Sequence, residues 1–198
     1  MAMLDAPVRR LISSPLDPLA VGMARVGIRA STITLVGFMV GLGGIAFIVT
    51  EQYATALFFL VLNRICDILD GMLARVRGPT AIGGFLDATL DVVIYAMIPF
   101  AFALGRQQDA LAATFLLLGF VVAAVPVLAT RMFSPPRSWD DDFVLCGHTE
   151  NFVVVVLLCL AERWTFTPIA YLYGSLCFLS CGLSILFALV KLRTAAKP

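Results

Sequence analysis

Charged side chains are scarce in this chain of 198 residues: Asp, Glu, Lys and Arg make up 14% of it, and there is one histidine. A soluble domain usually carries about 25% charged and about 45–50% apolar residues. Here 61% of the residues are hydrophobic. This composition excludes a soluble enzyme, a disordered chain and a secreted disulfide-bonded scaffold. No basic patch interleaved with aromatic residues is present, so we expect no nucleic-acid partner.

The five cysteines are not spaced for zinc binding or for a disulfide framework. There is no CxxC motif and no Cys/His cluster. Four cysteines lie inside apolar runs, as small buried side chains commonly do, and Cys146 lies in a polar loop. A cleavable signal peptide is not visible either, because the first strong apolar run starts only after Ser31.

Long apolar runs make up most of the sequence. A helix needs about 20 apolar residues to cross a bilayer. Six runs cover residues 32–50, 53–76, 85–104, 110–132, 151–161 and 167–192. The fifth is short, and either begins earlier, near Phe143, or lies partly in the interface. The segment before them, 4–28, is basic and broken by prolines, so we interpret it as an amphipathic element on the membrane surface. The sequence therefore predicts an all-α polytopic membrane protein with six transmembrane helices and an N-terminal interfacial amphipathic segment.

Lysine and arginine placement predicts the orientation, because cytoplasmic loops carry an excess of both. Eleven of the 14 lie before the first run, in the even-numbered loops or in the tail. Only Arg106 and Arg163 lie on the opposite side, and Arg64 lies inside the second run. We expect both termini in the cytoplasm. The chain then divides into an interfacial segment (1–30), a six-helix transmembrane catalytic domain (31–193) and a cytoplasmic tail (194–198).

Carboxylates occur inside the second and third runs, where membrane helices rarely carry them. They are Asp67, Asp70, Asp87 and Asp91. A charge at the centre of a membrane helix costs about 2.5 kcal/mol or more, so such residues usually have a function. The alternative is ion pairing with Arg64, which we place off the carboxylate face, or with Arg75. Two arginines cannot neutralise four carboxylates, so a function is favoured.

The spacing of these aspartates brings them together. The first pair is three residues apart and the second pair four, so each pair lies on one face of its helix. A short cytoplasmic loop joins the two helices, which then run antiparallel and place the acids at similar depth. Gly71, Ala74 and Gly83 keep these faces small, which leaves room for a ligand. Oxygen-only ligation selects Mg²⁺, Mn²⁺ or Ca²⁺, and a carboxylate-held metal pair suits a phosphate or pyrophosphate substrate.

The two halves of this constellation read Asp67-Ile-Leu-Asp70-Gly71-Met-Leu-Ala74-Arg75 and Gly83-Gly-Phe-Leu-Asp87-Ala-Thr-Leu-Asp91. Together they resemble the D-x2-D-G-x2-A-R…G-x3-D-x3-D signature of the CDP-alcohol phosphatidyltransferase family. All eight fixed residue types are present. The spacer has seven residues instead of about eight, a difference that a loop tolerates.

The resemblance implies an enzyme of phospholipid synthesis. Such an enzyme transfers the phosphatidyl group of CDP-diacylglycerol to an alcohol and releases CMP. It implies an integral protein of the bacterial inner (cytoplasmic) membrane with its active site on the cytoplasmic side, usually a homodimer. The cofactor it implies is a pair of Mg²⁺ or Mn²⁺ ions. The favoured acceptors are glycerol 3-phosphate and inositol phosphate, and the motif itself does not distinguish them from other alcohols.

The resemblance also implies roles for individual residues. The metal ligands are Asp67, Asp70, Asp87 and Asp91. The last of these, Asp91, is in addition the general base for the acceptor hydroxyl, which is a weak nucleophile until its proton is removed. The positions that bind the CDP part of the donor are Gly71, Ala74 and Arg75. Two weaker candidates for donor binding are Asn63, which packing polarity equally explains, and Thr80, which a simple turn also explains.

Candidate acceptor-binding residues lie beyond the motif. They are Arg131, Arg137, His148 and Glu150. The arginines could contact a phosphate on the acceptor, although the ordinary excess of positive charge in cytoplasmic loops explains them as well. The single histidine is equally compatible with a plain loop residue.

Two functions of other classes compete with the transferase. A cation-coupled transporter would also use intramembrane carboxylates, but it predicts broken helices near the midplane and an inverted repeat. Here the acids lie toward one surface and no repeat is visible. A non-catalytic assembly protein could use Gly37, Gly41 and Gly44 for helix packing. That function leaves the aspartates unexplained.

Overall fold

The computed structural model describes residues 16–133, 146–161 and 163–195, apart from a few side chains at helix ends. Within these ranges the chain is helical. The helices are α1 (16–25), α2 (Ala30–Val49), α3 (Tyr53–Arg77), α4 (Ala81–Gly105), α5 (Ala110–Phe133), α6 (His148–Leu160) and α7 (Arg163–Ala195), with a 3₁₀ turn at Gln107–Asp109. The predicted all-α class is confirmed for the described residues.

Four of these helices are long and apolar enough to cross a membrane: α2, α4, α5 and α7. Helix α3 has the length, with 25 residues, but it carries Arg64, Asp67 and Asp70 in its interior. Helix α6 has 13 residues and begins at His148, three residues before the predicted fifth span. The structure thus supports four of the six predicted spans by length and composition. The first 15 residues of the predicted interfacial segment lie outside the described ranges.

A tight turn joins the two helices that carry the motif. Helix α3 ends at Gly78, whose φ of 94° lies in the left-handed region that glycine adopts at little cost. Thr80 then caps α4, because its side-chain oxygen accepts a hydrogen bond from the backbone N–H of Gly83 at 3.1 Å. After the turn, α4 packs against α2, on which α3 also packs, and the two halves of the motif line one cleft.

The helices pack in a continuous series around one core. Helix α2 packs against α3 and α4, and α5 packs against α4 and α7. The core centres on large side chains that are almost fully buried, such as Leu60 of α3, Phe102 of α4, Leu116 of α5 and Phe166 of α7. Many large apolar side chains are exposed on the outer surface, as expected for helices that face lipid.

A charged corner closes the bundle at the end opposite the motif. Arg106, predicted in an external loop, is 3% exposed. Its Nε donates to the hydroxyl of Tyr53 at 2.7 Å, and its guanidinium lies 4.6 Å from the centre of that ring. Asp109 is also buried and accepts a hydrogen bond from Thr167 at 2.7 Å. These contacts connect α3, the turn before α5, and α7.

Glycines let α2 approach the motif helices closely. A Cβ added at Gly37 would lie 2.7 Å from the Cβ of Cys66, and one added at Gly41 would lie 2.8 Å from Cδ1 of Ile94. Because the helices are this close, the side-chain amide of Asn63 donates a hydrogen bond to the backbone carbonyl of Gly37 at 3.0 Å.

We therefore expect Gly37→Ala to destabilise the protein by about 1–3 kcal/mol, the usual cost of overpacking. Thermal unfolding in detergent measures this. The matched control is Gly182→Ala in α7, where an added Cβ meets nothing within 4 Å. The control should unfold at the wild-type temperature or above it, because alanine favours helix over glycine. Equal unfolding temperatures for Gly37→Ala and wild type would contradict the close α2–α3 contact.

Candidate active site

The four motif aspartates converge where α3 and α4 face each other. Carboxylate oxygens of Asp67, Asp87 and Asp91 all lie within 4.8 Å of one another. Oxygen ligands bind Mg²⁺, Mn²⁺ or Ca²⁺ at about 2.0–2.6 Å, so two ligands of one ion are at most about 4–5 Å apart. The three side chains are therefore close enough to bind the same divalent cation.

Asp70 occupies the deepest position of the four. It is 3% exposed, and its Oδ2 accepts no hydrogen bond from the described residues. It lines the same cleft as the other three aspartates. A buried carboxylate oxygen without a partner is costly, and a cation in the cleft would provide one. The donor set thus fits hard divalent cations.

Helix α2 forms one wall of this cleft. The sequence did not predict this contribution. The complete lining is Thr34, Gly37, Phe38, Asn63, Asp67, Asp70, Asp87, Leu90, Asp91 and Ile94. The signal in the sequence was the run of glycines in α2, which we had assigned only to helix packing. Their small size lets α2 lie against the aspartates.

Arg64, predicted to lie off the carboxylate face, forms an ion pair with Asp67. The two residues are three apart on α3, so they are neighbours on the helix surface. The ion pair that the sequence offered as an alternative explanation therefore exists. It compensates the charge of Asp67.

His148 lies beside Asp91, with Nδ1 at 3.4 Å from Oδ2 of that carboxylate. The hydroxyl of Tyr95, one turn after Asp91 in α4, donates to the backbone carbonyl of His148 at 2.9 Å. This contact holds the start of α6 against the aspartate cluster. Glu150 lies in the same first turn of α6. Of the four predicted acceptor residues, His148 is thus brought to the aspartates, and the roles of His148 and Glu150 stay predictions.

A thiol cluster anchors the residues just before α6. Cys146 is buried, and its backbone N–H donates to the hydroxyl of Ser180 at 3.4 Å. Hydrogen bonding with the Cys177 thiol lowers the pKa of the Cys146 thiol to about 7. All five cysteines are free thiols. The cluster joins the start of α6 to α7 and thereby supports the position of His148.

The predicted donor-binding residues are at the open end of α3. Arg75 is exposed, and its Nη1 would lie 3.8 Å from a Cβ added at Gly71, so its side chain lies over that glycine. Thr80 is the N-cap of α4, and Asn63 bonds to α2, so both have a structural contact as well. The side chain of Arg131, and all of Arg137, lie outside the part of the chain that the structure describes.

The sequence is similar to known proteins that share this motif family. The sequence model of the CDP-alcohol phosphatidyltransferase family matches residues 28–180. An inner membrane protein of Escherichia coli K12, YnjF, is 35% identical over 189 residues, which are 90% of this chain and 91% of that protein. An archaetidylinositol phosphate synthase of Pyrococcus horikoshii is 33% identical over 99 residues, 50% of this chain and 53% of that one. A phosphatidylinositol phosphate synthase of Streptomyces avermitilis is 34% identical over 105 residues, 52% of this chain and 43% of that one.

The fold is also known from solved structures. Phosphatidylinositol phosphate synthase of Mycobacterium tuberculosis with CDP-DAG bound superimposes with a TM-score of 0.75 at 17% identity, over 87% of this chain and 92% of that chain. The same enzyme with manganese and citrate gives a TM-score of 0.72 at 17% identity, over 86% and 87%. At this identity the likeness concerns the fold.

Proposed function

Because the chain belongs to the CDP-alcohol phosphatidyltransferase family, we propose that it transfers the phosphatidyl group of CDP-diacylglycerol to inositol phosphate and releases CMP. The protein is an integral membrane transferase of phospholipid biosynthesis. Membership in this family removes the transporter as an alternative. The observation that carries the mechanism is the convergence of Asp67, Asp87 and Asp91 within 4.8 Å, next to the buried Asp70. The acceptor is proposed from the relatives, two of which are inositol phosphate lipid synthases.

The metal site that we propose consists of the four motif aspartates, which would hold two Mg²⁺ or Mn²⁺ ions. When bound, such ions neutralise charge on a pyrophosphate and stabilise the leaving phosphate. Arg75 and Gly71 at the open end of α3 would receive the CDP part. Arg75 offers a planar fork of N–H donors, which suits a phosphate. Gly71 leaves the space that such a ligand needs.

Asp91 is the proposed general base. It takes the proton of the acceptor hydroxyl, whose oxygen forms a bond to the phosphorus that carries the diacylglycerol. The bond from that phosphorus to the bridging oxygen breaks, and the oxygen leaves with CMP. Asp91 suits this role because its Oδ2 faces His148 at the start of α6, where Glu150 also lies. We place the acceptor against this end of α6.

We further propose that α2 to α7 form a six-helix transmembrane catalytic domain (31–193), with an interfacial segment before it (1–30) and a short tail (194–198). Both termini and the site lie on the cytoplasmic side in this proposal, and the enzyme is a homodimer. The positions of Arg75 and Arg77 support it, because they lie at the end of α3 that carries the motif. Helix α3 also packs against α2, which is itself long and apolar enough to cross a membrane.

Purified protein with CDP-diacylglycerol and Mn²⁺ should release CMP when inositol 1-phosphate is added. Glycerol 3-phosphate, free inositol, serine and a reaction without acceptor form the comparison panel. We expect inositol 1-phosphate to exceed every other acceptor by at least about tenfold, since a site that binds both the phosphate and the ring hydroxyls of inositol leaves polar groups unpaired with any other acceptor. The readout is CMP by chromatography and the lipid product by mass spectrometry.

The outcomes separate the acceptor from the reaction class. Equal rates with glycerol 3-phosphate and inositol 1-phosphate, or a preference for glycerol 3-phosphate, would contradict the proposed acceptor. The proposed transferase reaction would still stand. CMP release that persists after all divalent metal is chelated would contradict the proposed metal site.

A further inference from the structure

A guanidinium from the interior of α3 reaches the aspartate cluster. Arg64 pairs with Asp67, and each side chain is only about one-fifth exposed, 21% and 20%. The positive charge of Arg64 also acts on Asp91. Arg75 and Arg77 lie near the end of the helix and are exposed.

The ion pair and a metal ion need the same carboxylate. Asp67 is one of the three side chains that can bind a common cation. A divalent cation there would lie close to the guanidinium, and like charges in a partly buried site repel strongly. Without any cation, the four carboxylates would repel one another in the same way. Arg64 therefore opposes the metal when it is bound and replaces part of its charge when it is absent.

We propose that Arg64 is an exchangeable counter-charge for the metal site: it neutralises Asp67 before metal binds and gives up that carboxylate to the incoming ion. This inference rests on the proposed metal site. Metal affinity is then lowered by the ion pair, and the empty site is stabilised by it. A purely structural ion pair would have only the second effect.

Binding of Mn²⁺ alone, measured by electron paramagnetic resonance of free Mn²⁺, tests the proposal without substrate. Arg64→Gln should bind Mn²⁺ roughly tenfold or more tightly than wild type at low salt, because a nearby positive charge has been removed. Arg64→Lys keeps the charge and should stay within about threefold of wild type. The matched control is Arg77→Gln, which should not change the affinity. Arg77 lies ten residues beyond Asp67, about 15 Å along the helix, and its charge is largely screened there.

Thermal unfolding distinguishes a change in metal affinity from misfolding of the variant. Metal-free Arg64→Gln should unfold at a lower temperature than wild type, and saturating Mn²⁺ should raise that temperature more than it does for wild type. If Arg64→Gln binds Mn²⁺ as weakly as wild type or more weakly, the counter-charge proposal is wrong and the proposed metal site is unaffected. Failure of both proteins to bind Mn²⁺ would overturn the proposed metal site and the counter-charge with it.

Discussion

Asp91→Asn should lower the rate of CMP release by about 10²–10⁴-fold, the usual contribution of a general base. An amide cannot accept the proton of the acceptor hydroxyl, but its oxygen can still approach a metal ion. We therefore expect binding of Mn²⁺ and of CDP-diacylglycerol to change by less than about tenfold, since Asp67 and Asp87 remain as ligands. Single-turnover CMP release and equilibrium binding, measured on the same preparation, test both expectations.

The matched control for this variant is Asp109→Asn. Asp109 is also a buried aspartate, but it lies in the charged corner at the far end of the bundle. It should keep its catalytic rate even if its unfolding temperature falls. Complete loss of Mn²⁺ binding in Asp91→Asn would contradict the role of base and would make Asp91 chiefly a metal ligand.

Asp70→Asn should lower the activity of the enzyme without lowering the stability of the metal-free protein. The wild-type carboxylate is 3% exposed and has an Oδ2 without a hydrogen-bond partner among the described residues. Removing a buried charge of this kind relieves a cost, so the metal-free variant should be as stable as wild type or more stable, by up to about 3 kcal/mol. Metal-dependent CMP release should fall by about 10²–10⁴-fold, because a divalent ion supplies several kcal/mol of transition-state stabilisation.

Thermal unfolding in the presence of a chelator, beside CMP release with saturating Mn²⁺, measures the two effects. Leu69→Ala, at the neighbouring buried position, is the control. It should lose stability through a core cavity, by about 2–5 kcal/mol. A fall in the stability of metal-free Asp70→Asn similar to that of Leu69→Ala would show that Asp70 is a structural residue.

Much of the site could be predicted because helix periodicity is a local property. Spacings of three and four residues place Asp67 with Asp70, and Asp87 with Asp91, on one helix face whatever the surroundings are. The connection through Gly78 and Thr80 is short, so α4 begins close to the end of α3 that carries the motif. The convergence of the aspartates therefore follows from about 25 consecutive residues. The structure confirms it for three of them within 4.8 Å.

The errors arose where a side chain meets residues distant in the sequence or reaches along its own helix. Arg64 was placed off the acidic face, but it lies three residues before Asp67, at a neighbouring position on the helix, and pairs with it. Arg106 lies in the connection after α4, as predicted, but its burial was not predicted. Burial is tolerated there because Tyr53 accepts a hydrogen bond from it and aromatic rings surround the guanidinium.

The sequence by itself determined the helical membrane architecture and the chemistry of the motif. Scarce charge and long apolar runs leave only helices that satisfy their own backbone in lipid, and clustered aspartates call for divalent cations. The tertiary structure alone decided which other elements complete the site. Helix α2 forms its wall through Gly37, and α6 brings His148 to Asp91 through a contact of Tyr95 across 53 positions. Such contacts depend on how each helix is rotated and crossed against its neighbours. That arrangement results from packing of the whole bundle, and no short stretch of sequence contains it.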